Sequence, residues 1–213
     1  ESAAKALLEA GEQGRLNLTE VRESVDRILH YKARLFREIT PALCNLPEDR
    51  AASEALSRKA VTALSGAPFP VNVKTFFCGC ADYRASGVGN ETGAASTAPG
   101  YLGQRFGAKH LVTPKDPAEA DILAAAAAAQ GCESIVFTTC NAHLFRGQLA
   151  LAQALAALGK PMAVAALRNP YDLSALPERL WKLAVYDYCE PALAALADVL
   201  RGGEAQGICP VKL

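Results

Sequence analysis

The feature that most narrows the folds open to this chain is a set of short, near-continuous apolar runs spaced by helical patterns. Residues 73–78, 134–140 and 161–167 are rich in β-branched, aromatic and small apolar side chains and do not alternate with polar ones. A strand with one face in water alternates, so a continuous run belongs to a strand covered on both faces. Further strands are expected at 109–113 and 183–186. Helices are expected at 52–64, near 101–106, at 117–130 with Pro117 in its first turn, at 144–158 ended by Gly159, and at 190–200. Strands alternating with helices of this length imply right-handed crossovers and a parallel sheet. The expected fold class is therefore α/β: a three-layer α/β/α sandwich with a mostly parallel sheet, occupying residues 51–213. The alanine run 124–129 reads as part of a buried helix.

The first 40 residues read differently. One helix is expected over 2–10, stopped by Gly11 and Gly14. A second begins at Asn17, with Glu20 three residues on completing a capping-box signature. Leu18, Val21, Val25, Ile28, Leu29, Leu35 and Phe36 then recur at three- and four-residue steps, an apolar stripe too wide for one short neighbour to cover. Pro41 and Pro47 bracket a linker, so the domain plan is helices over 1–40, a linker over 41–50 and the sandwich over 51–213.

Charge excludes some partners. The chain has 22 basic and 22 acidic residues, which gives no pull toward nucleic acid or an anionic membrane surface. It has no uncharged apolar run of about 18 residues, the length a bilayer span needs. The seven cysteines are an odd number and several lie in apolar segments, so reduced thiols and a cytoplasmic setting are expected. The chain opens on Glu1 with no visible signal peptide, and the expectation is that a preceding stretch has been removed.

In parallel sheets ligands sit beyond the carboxyl ends of the strands, so three segments matter. The first, 78–93, carries Gly87, Gly89 and Gly93, but these fall about ten residues after the strand, too late for a phosphate-binding turn. It reads better as a long loop bridging to another domain. Cys78 and Cys80 lack a second ligand pair for a metal, and their C-x-C spacing is not that of a redox motif, so no metal and no cofactor are expected. The second segment holds Asn141 and His143; no carboxylate lies near His143 in sequence, and no nucleophile elbow supports a triad. The third, Arg168-Asn-Pro-Tyr-Asp-Leu173, is a rigid corner, because Pro170 keeps Asn169 out of the helical region. Asp172 can cap the turn that follows, and Arg168 and Asp172 could instead form pairs across to another domain.

The Arg168-Asn-Pro-Tyr-Asp-Leu173 corner after Gly159-Lys-Pro161 resembles the second domain of family 3 glycoside hydrolases, most of all the two-domain β-N-acetylhexosaminidases. Residues 18–36, with Arg27-Ile-Leu-His-Tyr-Lys32, resemble the helix that closes their catalytic barrel. Residues 59–70 resemble the start of the second domain, and 139–148 the strand end carrying Asn, His and Gln. Tyr186-Asp-Tyr188, 194–203 and the Gly-x-x-Pro-Val tail at 207–211 resemble its closing elements. The resemblance implies an accessory C-terminal domain whose partner is an N-terminal barrel, with the saccharide substrate reached through that barrel. The parent would remove terminal β-N-acetylglucosamine from peptidoglycan fragments or chitooligosaccharides. It would do so with retention, through a barrel Asp nucleophile and a His–Asp pair on a barrel loop, and this chain alone would be inactive. In other branches a Glu of the second domain is the acid, and Glu91 is the candidate here. Cleft or interface candidates are thus Glu91, Asn141, His143, Arg168, Asn169 and Asp172, with no catalytic residue assigned. The alternative is a stand-alone α/β module that binds saccharide or cell wall without hydrolysing it, with Tyr83, Tyr101, Phe145 and Tyr171 as its aromatics.

Overall fold

A computed structural model describes residues 2–35, 46–80 and 97–213. Glu91, Cys44, Phe36, Tyr83, the glycines at 87, 89 and 93 and the first half of the expected linker (41–45) lie outside these described residues. The chain divides into two compact units, Glu1–Leu46 and Pro47–Leu213.

The first unit holds α1 (Ser2–Glu12) and α2 (Leu18–Leu35). Helix α1 runs through Gly11, which the sequence reading had as a stop, and the chain turns at Gly14 in the left-handed region (φ 66). Asn17 caps α2 as expected: its Oδ1 accepts the Thr19 N–H at 3.1 Å and its Nδ2 donates to Glu20 Oε1 at 3.0 Å. No residue of α2 is buried.

The second unit is a six-stranded sheet with helices on both faces. In chain order it runs α3 (Pro47–Ala60), β1 (Thr62–Ser65), β2 (Thr75–Cys80), α4 (Ala98–Phe106), β3 (His110–Thr113), α5 (Glu119–Ala129), β4 (Ser134–Thr139), α6 (Arg146–Ala156), β5 (Met162–Ala166), a 3-10 turn (Pro170–Leu173), β6 (Trp181–Ala184) and α7 (Glu190–Leu200). The spatial order is β1-β6-β5-β4-β2-β3, parallel throughout except for β1, which pairs antiparallel with β6. Every residue of β2, β4 and β5 is buried, as near-continuous apolar runs require.

Alternate side chains of each strand supply separate cores. Phe77, Val136, Ala163, Ala165 and Leu183 pack with Leu102 of α4 and Leu193 and Leu196 of α7. Phe76, Phe137 and Val164 pack with Ala125 of α5 and Leu151 and Leu155 of α6. The α/β/α layering is therefore as the sequence implies. Two local expectations fail. Residues 62–65 form a strand where the helix over 52–64 was expected, because their pairing with β6 outweighs the helix preference of Ala63 and Leu64. Helix α5 is only half covered: Ala125 and Ala129 are buried whereas Leu123 is exposed, so the alanine run is a surface helix with one packed face.

The middle of the sheet has no room for a side chain at Gly79. A Cβ there would lie 2.0 Å from Thr138 Oγ1 and 2.6 Å from the Thr138 carbonyl oxygen, so glycine lets β2 and β4 close at this point. Strand β2 is followed in the chain by a strand on one side of it and β4 by a strand on the other. Their shared carboxyl end is thus a switch point, where parallel sheets open a crevice.

Candidate functional site

Beyond that edge the chain turns sharply twice. After β4, Asn141 adopts φ 56, which a short polar side chain tolerates, and its carbonyl accepts the N–H groups of Leu144 and Phe145 at 2.9 and 3.3 Å. After β5, Leu167 N–H still reaches the Thr139 carbonyl at 2.9 Å, and Asn169 stays extended ahead of Pro170 before the 3-10 turn. Adjacent parallel strands thereby set the two corners side by side.

Side chains then tie the corners together. Asn169 Nδ2 donates to Asn141 Oδ1 at 2.9 Å. Asp172 Oδ1 accepts the His143 backbone N–H at 3.2 Å and lies 3.1 Å from His143 Nδ1. Sequence reading found no carboxylate for His143; the structure supplies one from the next strand end, 29 residues away. It also corrects Asp172, whose carboxylate bonds His143 instead of capping its own turn. The turn buries its side chain completely, within reach of residue 143. Arg168 instead sets its guanidinium over the Tyr188 ring, 5.9 Å from the centroid. All the candidates but Glu91, which is outside the described residues, therefore sit on these two corners.

One organising residue entered the sequence reading only through the resemblance, as the Gln of 139–148, and was not among the site candidates. Gln148 is fully buried; its Oε1 accepts the Cys140 N–H at 2.9 Å, and its Nε2 donates to the carbonyls of Cys140 at 3.0 Å and Lys115 at 2.7 Å. It pins the corner after β4 to the loop after β3. The available signal was its position: Gln148 shares a helix face with Leu151, Ala152 and Leu155, and a lone amide in an apolar stripe has backbone to satisfy. Next to it, Gly147 donates to Asp116 Oδ1 at 2.8 Å, at a place where a Cβ would come within 2.3 Å of the Pro117 carbonyl.

The remaining chemistry is modest. Burial pushes the Cys78 thiol up to about 12, so it is a protonated core residue. Among the described residues no three His, Cys, Asp or Glu groups gather in a way that could hold a metal. A cavity of about 330 Å³ lies elsewhere, lined by Ser65, Leu173, Glu178, Lys182, Cys209 and Leu213 among others. In it the buried Lys182 ammonium donates to Glu178 Oε1 at 2.6 Å, and that bond holds the Glu178 carboxyl below the usual range. None of the strand-end candidates lines it. No described helix is long and apolar enough to cross a membrane.

The sequence matches no protein-family model and no curated protein. Solved structures do match. A glycoside hydrolase family 3 β-N-acetylglucosaminidase from Paenibacillus sp. str. FPU-7 superposes with a TM-score of 0.74 at 26% identity, over 96% of this chain and 41% of that enzyme. A β-glucosidase from Listeria innocua covers 92% of this chain and 32% of its own length at 19% identity and a TM-score of 0.62, a likeness of fold. A fungal multi-domain family 3 β-N-acetylglucosaminidase does likewise, with 93% and 24% coverage at 19% identity and a TM-score of 0.63. The class these structures define is an α/β domain shared by glycoside hydrolases. More particularly, the chain is similar to the C-terminal domain of family 3 glycoside hydrolases, and it spans less than half the length of each of these enzymes.

Proposed function

We propose that this chain serves as the accessory C-terminal domain of a family 3 glycoside hydrolase that removes terminal β-N-acetylglucosamine from peptidoglycan fragments or chitooligosaccharides. The observation that carries the reading is the match to the Paenibacillus β-N-acetylglucosaminidase, which takes in 96% of this chain but 41% of the enzyme. Retaining hydrolysis needs two groups flanking the scissile bond about 5–5.5 Å apart. On the family resemblance both belong to a barrel, and the sandwich supports that barrel and lends loop residues to its cleft. A reducing, cytoplasmic setting, expected from the odd number of cysteines and their apolar neighbours, belongs to the same proposal.

Two measurements test this. The purified chain should release no nitrophenol from nitrophenyl β-N-acetylglucosaminide above buffer; turnover abolished by Glu91→Gln would place the acid in this domain. The transcript upstream of the Glu1 codon should continue in frame into a barrel-coding region. An in-frame start directly upstream would favour a free-standing saccharide-binding module.

A further inference from the structure

The joint between His143 and Asp172 does more than close a loop. One hydrogen bond, from the His143 backbone N–H, would hold the corner whatever side chain residue 143 carried. The second engages the ring itself at Nδ1. A carboxylate at Nδ1 keeps the neutral ring's proton on that nitrogen and leaves a lone pair on Nε2. The Asp172 side chain is fully buried, whereas that of His143 is 43% exposed. Asp172 Oδ2 is buried with no hydrogen-bond partner among the described residues, an unfavourable arrangement that closing a loop does not call for.

The surroundings select the ligand. An anion would approach a buried carboxylate while the nearby guanidinium of Arg168 lies over Tyr188. A metal ion would need about four ligands, and no group of three is present among the described residues. What fits a neutral imidazole acceptor, the carboxamide of the half-buried Asn169 and the exposed Tyr171 ring in the same corner is an uncharged ligand with many hydroxyl groups. We propose that His143, oriented by Asp172, is a saccharide-contacting residue of this domain whose Nε2 accepts a hydrogen bond from a sugar hydroxyl. This rests on the carbohydrate reading above but places a direct contact within the sandwich. Asp172 is a positioning residue in this arrangement.

The test uses the whole chain labelled with nitrogen-15 histidine, and chitobiose as the probe. Long-range proton–nitrogen spectra should show His143 with its proton on Nδ1, and millimolar chitobiose should move the Nε2 signal upfield. Asp172→Asn should disturb the tautomer and weaken binding about tenfold, and His143→Gln should abolish the specific response while leaving the melting temperature near that of the parent chain. Should Asp172→Asn fail to fold, the tautomer of the unaltered chain and the His143→Gln titration still decide. A proton on Nε2, or amide shifts that bypass residue 143, would overturn the contact while leaving the accessory-domain reading intact. Chitobiose that moves no signal at all would also overturn it, whereas the accessory-domain reading turns on the upstream coding sequence.

Discussion

Helices α2 and α7 carry much the same sequence signal and meet opposite fates. Each repeats apolar residues at three- and four-residue steps. In α7, Leu193, Leu196, Val199 and Leu200 are buried with Ala192, Ala195 and Ala197, against Phe77, Ala165 and Leu183 of the sheet. In α2 nothing is buried; Leu18 and Leu29 are each 56% exposed and Leu35 is 74% exposed. Periodicity therefore tells which face of a helix seeks cover and is silent on whether cover is supplied. Helix α1, the other described helix of its unit, leaves its own Leu7 and Leu8 exposed.

That contrast can be broken by measuring stability in denaturant. The largest effect is expected at Phe137, fully buried in β4. Phe137→Ala should cost about 3–5 kcal/mol, the range for emptying a packed aromatic site. Gln148→Ala should come next, at roughly 1–3 kcal/mol, because it removes the hydrogen bonds that Gln148 makes to the amide of Cys140 and the carbonyls of Cys140 and Lys115. Leu29→Ala should be the smallest, within about 0.5 kcal/mol, as for an exposed site. A cost at Leu29 approaching that at Phe137 would show that its stripe is covered in this chain, and the difference between the two helices would vanish. Repeating the Leu29 measurement in an enzyme that includes the barrel would sharpen it, since there the stripe is expected to pack.

The sandwich was legible because its signals are local and redundant. Helix α7 begins at Glu190 with Pro191 in its first turn and ends at Leu200, the span expected from sequence. Continuous apolar strands announced two covered faces. Strand β1 was not legible, since Thr62-Ala-Leu-Ser65 continues a helix pattern and becomes a strand only by lying against β6. At the site, Pro170 fixed the 168–173 corner from nearby residues alone, whereas the left-handed turn at Asn141 was not read from the sequence. The His143–Asp172 joint could not be read in the same way, because its members lie on different strand ends and meet only once β4 and β5 pair.

The antiparallel edge strand also bears on how the chain reaches this state. Ser65 hydrogen-bonds the carbonyl of Leu180, 115 residues further along, so the first strand of this sheet in chain order pairs with one of the most distant. Contacts this distant in sequence slow folding, and an unpaired strand edge is prone to wrong associations meanwhile. Strands β2 to β5 can pair among themselves as they emerge, whereas β1 must wait for β6, the last strand of this sheet in chain order. Residues before β1 are therefore joined, until β6 is made, to a strand that has no neighbour in this sheet, and whatever they belong to must tolerate that delay.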